Sequence, residues 1–464
     1  MIRTSLLLTL ALLFSLSAHA RKPQISNIDF TKGGQPPKEA NHDWTLGATG
    51  ARGWMYTEKM GTTKARQVYI TQVAKGSPAE GVLSKGDVIL GIGSKPFGSD
   101  PRSAFGKALT AAESDAGAGK LQLLRWRAGA TETVTLNLPV LGTYSPTAPY
   151  NCPKSKRVYE QGCKALAARI QSPGYKQNPV SRSLNAMALL ASGNQSYLPI
   201  VKKEAEWAAS YEVGKFSTWY YGYVITFLAE YVMLTGDQSV APGLRRLALA
   251  SAKGQSKVGS WGHMFAGEDG RLVGYGMMNA PGVPLTIALD LSRRAGIKDP
   301  ELSQAIERSA KLLRFYIGKG AVPYGDHHPW IQSHEDNGKC GMAAVLFNLL
   351  EEPKGAKFFS RMSVASHGAE RDCGHTGNFW NITWAMPSVN QSGPQATGAW
   401  MKEFGAWYYD LARGHDGLYR HLGPPQANRD STSNWDASGL YLLAYAMPLK
   451  KLVITGKVAP ITPQ

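Results

Sequence analysis

The chain has 464 residues, of which 51 are basic and 34 acidic, so its formal charge is +17 at pH 7 and its isoelectric point is about 9.5. Such a charge favours acidic partners such as cell-wall polymers, acidic polysaccharide or anionic lipid. No basic run is interleaved with aromatic residues, which argues against nucleic acid. Four cysteines are too few for a disulfide scaffold, and the length predicts two or three domains.

The first twenty residues have the pattern of a secretory signal peptide. Arg3 supplies a positive start, Ser5–Leu16 is apolar, and residues 18–20 form a small–x–small cleavage pattern. The apolar run is too short to span a membrane, and no later stretch is long and apolar enough. We therefore expect export to the periplasm or the exterior, with residues 21–42 as a Pro-, Gly- and Lys-rich linker.

Residues 43–141 have the pattern of a small α+β domain. A Gly-rich turn at Leu46–Gly50 precedes a strand, and Val68–Val73 alternates as a half-buried strand does. A helix over Asp100–Glu113 and two further strands close the segment. This order, with Gly-Ser-Pro-Ala-Glu-Gly-Val-Leu-Ser-Lys-Gly-Asp-Val-Ile-Leu at Gly76–Leu90, resembles a bacterial-type PDZ domain.

The PDZ resemblance implies that a peptide or protein C-terminus adds as a strand beside the helix Arg102–Ala112. It also implies that the Gly-rich turn binds the terminal carboxylate. The peptide-binding residues would then be Leu46, Gly47, Ala48, Thr49, Gly50 and Arg52.

After a linker at 142–152, residues 153–450 alternate between two kinds of helical segment, with a tail at 451–464. Six segments are apolar nearly all round: Leu184–Gly193, Tyr223–Gly236, Pro284–Gly296, Cys340–Leu350, Asn378–Val389 and Ala437–Pro448. The others are amphipathic: Pro153–Gln171, Tyr197–Glu212, Gln238–Lys253, Pro300–Ile317, Gly355–Ser366 and Gln395–Arg413. Helices that are apolar on every side are buried, so inner and outer helices alternate. Pairing the first outer helix with the last inner one predicts an α/α toroid of about six helical hairpins.

Short motifs support the toroid by resemblance. Gln255–Trp261 has the Gln-x-x-x-Gly-x-Trp form of terpenoid cyclases, and Gln395–Trp400 is a near match. Cys340–Ala344 and Arg371–Thr376 resemble inner-helix starts of protein prenyltransferase β-subunits. The whole arrangement resembles an uncharacterised family of exported bacterial PDZ-plus-helical-ring proteins, which implies no established activity. The chain lacks an Asp-x-Asp-Asp motif, which argues against class II cyclisation, and export argues against a prenyltransferase.

Two polar stretches, Ser333–Gly341 and Arg371–Asn378, each precede an apolar helix. Helix N-termini favour negative charge, and polar residues there can equally be simple caps. In a ring, these starts would surround one mouth, where aromatic residues, histidines, amides and carboxylates line a cavity suited to sugar rings or an anionic peptide.

This mixture predicts a hydrolase or lyase acting on polysaccharide or another cell-envelope polymer. Hydrolysis would use two carboxylates, first Asp336 and Asp372. A lyase would use His334 or His375 as its base, with an asparagine neutralising the substrate carboxylate. The candidate catalytic residues are His334, Asp336, Asn337, Asp372, His375 and Asn378, with Glu335, Asp416 and Asp436 as further carboxylates. The alternative is a non-catalytic binding or scaffold protein of the envelope.

The four cysteines fall into two pairs. Cys152 and Cys163 on one continuous helix would be roughly 16 Å apart, beyond the reach of a disulfide, so we expect no bridge unless that helix begins later. Cys340 and Cys373 precede successive inner helices, which favours a disulfide in an oxidising compartment; two free thiols are the alternative. The prenyltransferase resemblance offers zinc as a third possibility, with ligands Asp336, Cys340, Cys373 and His375, although three residues rather than one separate the first two. No other cofactor is expected.

Overall fold

A single antiparallel sheet forms the N-terminal part of the computed structural model. The structure describes residues 27–37, 43–57, 61–212, 217–331, 333–335, 338–372, 379–421, 432 and 435–457, without the side chains of Ser217, Ala369 and Asp372. The strands are β1 Trp44–Thr45, β2 Ala51–Trp54, β3 Val68–Val73, β4 Val88–Ile92, β5 Lys95–Pro96, β6 Lys120–Arg127 and β7 Ala130–Asn137. They pair in the order β1-β2-β3-β4-β6-β7, and β5 pairs with β4.

Local sequence explains these elements. Ala128 and Gly129 both have positive φ and join β6 to β7 by a two-residue turn, whose twist suits a hairpin. Leu121 and Leu123 alternate with exposed residues and face the core. The helix α1, Pro101–Ala112, begins at Asp100, whose carboxylate accepts the N–H of residue 102 at 2.9 Å.

The predicted fold class, a PDZ domain followed by a toroid, is wrong in its first part. The Gly-rich turn that should bind a carboxylate is a buried 3-10 turn, Gly47–Thr49, packed against the helical part. The Gly47 N–H donates to the Leu411 carbonyl at 3.0 Å, and the Gly50 N–H donates to the Gly47 carbonyl at 3.2 Å. These two N–H groups already donate within the protein, so they are not available to bind the carboxylate of a peptide C-terminus. Arg52 is occupied as well, because its Nε donates to Asp43 at 2.6 Å.

Twelve helices of at least eight residues follow in the described part of the chain. They are α2 Pro153–Ile170, α3 Pro179–Ala191, α4 Leu198–Ala209, α5 Ser217–Thr235, α6 Ala241–Lys253, α7 Asn279–Arg294, α8 Pro300–Arg314, α9 Lys339–Leu349, α10 Pro353–Ala365, α11 Phe379–Asn390, α12 Pro394–Phe404 and α13 Ser438–Tyr445. None of these helices combines the length and apolar character that a membrane span requires.

The odd-numbered helices from α3 to α13 pack side by side in a closed cycle. Each contacts the next in the series, and α13 contacts both α3 and α2. Every residue of α11 from Phe379 to Val389 is buried, whereas the outer α8 buries a stripe that includes Leu302, Ile306 and Leu313. The helical part is thus a ring of six inner helices with outer helices around it.

Glycines let the inner helices approach closely. A Cβ at Gly341 on α9 would lie 2.8 Å from the Trp384 carbonyl oxygen of α11, and one at Gly222 on α5 would lie 3.1 Å from the Leu285 nitrogen of α7. At Gly439 on α13 a Cβ would overlap the backbone of Leu184 on α3. Side chains at these positions would push the backbones apart.

A buried ionic cluster joins the sheet to the ring. Lys154 on α2 donates to Asp410 at 2.7 Å and lies 3.0 Å from Glu113, which follows α1. Arg413 donates to both oxygens of Glu113 at 2.5 and 2.7 Å. Tyr144, in the predicted linker, donates to Asp410 at 2.7 Å. This cluster fixes the sheet against the ring, while the sheet and the ring each have a hydrophobic core of their own. The predicted domain boundaries stay predictions.

Candidate functional site at the mouth of the ring

The two polar stretches meet in space, at the starts of α9 and α11. The Glu370 carboxylate accepts the backbone N–H of His334, and its other oxygen lies 3.3 Å from Nδ1 of that histidine. Next to this contact, Arg371 lies 3.7 Å from the Glu335 carboxylate. Both stretches therefore contribute to one rim of the ring mouth.

Glu335 is a buried structural carboxylate. Its two oxygens accept the N–H groups of Cys340 at 2.8 Å and Gly341 at 3.0 Å, which caps α9. Burial raises the pKa of Glu335, although Arg371 and the two N–H groups act in the opposite direction. As a further catalytic carboxylate it is poorly placed, because its side chain has no exposed surface.

His334 has the opposite environment, with 46% of its side chain exposed. Burial opposes ionisation of Glu370, but hydrogen bonds from the N–H groups of His334 and Glu335 and from the imidazole outweigh it and lower the pKa of Glu370. The ionised carboxylate favours the imidazole tautomer with hydrogen on Nδ1. Nε2 is then the nitrogen that can accept a proton.

Most other predicted site residues fall outside the described residues. These are Asp336, Asn337, Cys373, His375 and Asn378, together with the side chain of Asp372, whose backbone ends the 3-10 helix Gly368–Asp372. Their catalytic roles stay predictions. Of the two further carboxylates, Asp416 and Asp436, neither lies in the histidine rim; both line a cleft beside the mouth.

Cys340 is a fully buried thiol, and burial and the nearby Glu335 carboxylate raise its pKa well above the usual range. Because Cys373 lies outside the described residues, the disulfide stays a prediction.

Within the described ranges, no group of three or more His, Cys, Asp and Glu side chains could hold a metal ion. Three of the four residues of the alternative zinc site are not among those described. Cys152, which caps α2, and Cys163 are both buried thiols.

Aromatic side chains fill the centre of the ring near its mouth. Tyr223 of α5 stacks on Trp380 of α11 with centroids 5.2 Å apart, and Trp384 Nε1 donates to the Tyr223 hydroxyl at 2.8 Å. The helices α5 and α11 lie on opposite sides of the ring, so these contacts cross it. Trp219 lies 5.7 Å from Trp380, and Trp435 lies 5.8 Å from it on another side. The predicted open cavity is therefore packed at this level.

Open space lies instead between the sheet and the ring, beside Trp435. This interdomain cleft has a volume of about 270 Å³. Its charged and polar lining comes from three regions of the chain: Arg52 and Gln72 of the sheet, Arg169 and Gln177 from α2 and the segment after it, and His415, Asp416, Arg420 and Asp436 from the last part of the ring.

Sequence reasoning missed Glu370, the partner of His334, although it directly precedes the second polar stretch. Its acidic side chain, adjacent to Arg371, was the available signal. Nothing local to Arg169 or Arg420 marks them, because the cleft exists only after the sheet and the ring pack together.

Comparisons with known proteins give a family and a distant fold similarity. Residues 155–456 match the model of a family described as "Domain of unknown function (DUF6288)". No curated protein is significantly similar to the sequence. The chain resembles an inactive variant of the α-1,6-mannanase GH76A of Salegentibacter sp. HEL1_6, solved with α-1,6-mannotriose, at 15% identity and a TM-score of 0.47 over 64% of this chain and 99% of that one. The same organism's GH76A α-1,6-mannanase is similar at 14% identity and a TM-score of 0.47, over 64% and 99% of the two chains.

The family match corrects both resemblances inferred from short motifs. It extends from α2 to the last described 3-10 turn, so one family accounts for the region where terpenoid cyclase and prenyltransferase motifs were identified. In the structure Cys340–Ala344 lies within α9 and Gln395–Trp400 within α12, whereas Gln255–Trp261 is part of a connection between two helices. The PDZ resemblance rested on turn and strand order, and the buried turn at Gly47–Thr49 removes the peptide-binding role inferred from it.

Proposed function

The chain belongs to the family described as "Domain of unknown function (DUF6288)", and we propose from its own residues that it is an enzyme that cleaves a polysaccharide of the cell envelope. Membership in this family brings no activity with it. The pair formed by His334 and Glu370 carries the proposal, because a carboxylate at Nδ1 leaves the other ring nitrogen able to accept a proton. Export, expected from the N-terminal sequence, would place the protein where such polymers occur.

The pair suits two ways of breaking a glycosidic bond. In hydrolysis, Nε2 of His334 would take a proton from the water that attacks the anomeric carbon, and an acid would protonate the leaving oxygen. Asp336 and Asp372 are the candidates for that acid. In elimination, Nε2 would take the proton on the carbon beside a uronic-acid carboxylate, and the electrons of that C–H bond would form a carbon–carbon double bond. The bond to the leaving oxygen would break in the same process, and the same acid would protonate that oxygen. Only elimination yields an unsaturated sugar.

The experiment is a product assay on acidic and neutral polysaccharides and on peptidoglycan. New reducing ends without ultraviolet absorbance indicate hydrolysis, and an absorbing product indicates elimination. We expect His334→Ala to lower the rate by about 10²–10⁴-fold, the usual contribution of a general base, and Glu370→Gln to lower it less.

His367→Ala is the matched control, because His367 is an exposed histidine near the same rim, whose ring Nδ1 lies 3.1 Å from the Ala365 carbonyl and forms no hydrogen bond with the Glu370 carboxylate. Full activity in His334→Ala would show that the base lies elsewhere. Loss of activity in the control as well would point to a general effect on folding.

A non-catalytic binding protein is the second candidate, and the packed centre of the ring favours it. Trp219 and Trp380 are 8% and 2% exposed, so this part of the ring offers little room for a polymer. In that case the assay gives retention of a polysaccharide without any product.

A further inference from the structure

The interdomain cleft brings together three arginines from separate parts of the chain. Arg52 is on β2, and Arg169 is near the end of α2. Arg420 lies just before α13, where an isolated antiparallel β-bridge pairs its backbone with that of Asp436. The sheet, the first outer helix and the last part of the ring thus each supply one guanidinium.

Two of these arginines have carboxylate partners. The Arg52 Nε donates to Asp43 at 2.6 Å, and the Arg169 Nε lies 3.5 Å from Asp436. Arg420 is exposed, and its guanidinium has no partner among the described residues. It is therefore the arginine that can form new hydrogen bonds with a ligand.

The acidic residues of the cleft are already engaged. Asp436 accepts the N–H of Ser438 at 2.9 Å, which caps α13, and a hydrogen bond from Asn185 at 3.2 Å. Asp416 accepts the N–H of Leu418 at 3.1 Å. Partial burial and the nearby Arg52 and Arg169 lower the pKa of Arg420, although Asp43 and Asp416 act against this. Asp43, Asp416 and Asp436 balance the charges of the three arginines, so an anion would be held by the free hydrogen-bond donors of Arg420 rather than by a net positive field.

The rest of the lining suits a sugar. Half-buried Trp435 offers an aromatic surface against which the carbon face of a sugar ring can pack, and Gln72, Gln177 and His415 offer donors and acceptors for hydroxyl groups. The volume of about 270 Å³ is near the lower limit for small-molecule sites and suits one ring better than a long stretch of polymer.

We propose that the interdomain cleft binds one acidic sugar residue, whose anionic group is received by the unpaired guanidinium of Arg420, beside Arg52 and Arg169, which stay paired with their own carboxylates. The anion is a carboxylate, as in a uronic acid, or a sulfate or phosphate ester. Planar guanidinium groups pair with all three through parallel hydrogen bonds. The identity of the ligand as a sugar rests on the proposed function, but the binding itself requires no turnover.

The test is calorimetric titration of the full-length protein with five probes: oligogalacturonate, a sulfated oligosaccharide, a phosphorylated oligosaccharide, a neutral oligosaccharide of equal length and an acidic peptide. We expect binding of at least one acidic oligosaccharide, no comparable binding of the neutral one, and weakening with added salt. Arg420→Gln should weaken that binding roughly tenfold or more, as expected for loss of a charge-assisted hydrogen bond. The acidic oligosaccharide that binds most tightly identifies the anion.

Arg271→Gln is the matched control, because Arg271 is 86% exposed and its own ion pair with Asp269 is also exposed. Equal binding of neutral and acidic probes, unchanged affinity in Arg420→Gln, or equal weakening in the control would overturn the proposal. So would tighter binding of an acidic peptide than of any sugar. His334→Ala separates the two proposals, because binding in the cleft should persist in this variant. If the unmodified protein binds an acidic sugar but cleaves no polysaccharide, the cleft proposal stands and the enzymatic proposal is refuted.

Discussion

Glu230 is a carboxylate inside the inner helix α5 that holds the end of the described chain. It accepts the N–H groups of Val453 and Ile454, both at 2.9 Å. Burial opposes its ionisation more strongly than these N–H groups favour it, and raises the pKa of Glu230 to about 7. The group therefore titrates near neutrality, in a position where its charge is buried.

This pKa predicts a loss of stability with rising pH. The folded state holds the proton more tightly than the unfolded state, in which the pKa of a glutamate is near its ordinary value of 4.5. The stabilising contribution is therefore fully present below pH 4.5 and is lost as pH rises through 7. The difference between the folded and the unfolded pKa of Glu230 corresponds to about 3 kcal/mol in the free energy of unfolding. We expect Glu230→Gln to reduce the fall in the free energy of unfolding between pH 5 and pH 8, measured by chemical denaturation.

The glutamine should itself cost about 1–3 kcal/mol at pH 5, because its NH₂ group faces one of the two backbone donors. Glu206→Gln on the exposed face of α4 is the control and should keep the pH dependence of the unmodified protein. If the Glu230→Gln protein also kept the full pH dependence of stability, a group other than Glu230 would cause that dependence.

At the scale of elements, close packing of the inner helices predicts the effect of one methyl group. In Gly439→Ala, the new Cβ would overlap Leu184 and the Asn185 nitrogen of α3, and backbone atoms cannot move aside as a flexible side chain can. We expect a loss of about 3 kcal/mol or more, beyond the usual range for overpacking, despite the better helix propensity of alanine. Thermal melting measures it.

Gly98→Ala serves as the comparison, because nothing lies within 4 Å of a Cβ there and its φ is not positive. This variant should melt within a degree or two of the unmodified protein. Equal melting of both variants would mean that α13 can shift away from α3 at little cost.

The helix boundaries were predictable because their signals are local. Pro153 begins α2 in the structure as in the prediction, since proline fits the first turn of a helix, and the predicted end at Gln171 is one residue beyond Ile170. By contrast, α3 begins at Pro179, five residues before the predicted start at Leu184. The prediction followed apolar residues only and missed the N-cap Asn178, whose side chain accepts two N–H groups.

For the molecule as a whole, the buried cluster of Glu113, Lys154, Asp410 and Arg413 should be a point of strong sensitivity. It contains two positive and two negative groups, all buried. Lys154→Met leaves one negative charge uncompensated, so we expect a loss of about 3–5 kcal/mol in the free energy of unfolding. Because the cluster joins the sheet to the ring, calorimetry should also show a less cooperative transition.

The double variant Lys154→Met/Asp410→Asn removes one charge of each sign and should regain part of that loss. Lys156→Met, on the exposed side of α2, should change stability by less than about 0.5 kcal/mol. A Lys154→Met protein as stable as the Lys156→Met protein would show that water reaches the cluster.

Contacts between residues far apart in the chain, such as those of the buried ionic cluster, could not be predicted from the sequence. Closure of the ring was predictable in outline. The helical region begins with an outer helix and ends with an inner helix, and neither has a neighbour in sequence to complete a hairpin, so the two were expected to pair. The joining of Glu113 to Arg413, and of Arg52 to the cleft with Arg420, depends on how two finished units pack. Neither the apolar periodicity nor the helix caps indicate that packing. The predicted mouth therefore contained carboxylates and histidines, Arg52 was assigned to a peptide-binding turn, and Arg169 and Arg420 were not identified.

Contact between α13 and α3 also determines when folding can finish during synthesis. The inner helix α3 is complete at Ala191, but its partner begins only at Ser438. At about 5–20 residues per second, ribosomes need on the order of tens of seconds to make the chain between them. Throughout that interval the apolar flank of α3 that α13 will cover faces water. A chaperone that protects newly made chains would therefore find its binding surface on the earliest inner helix rather than on the last.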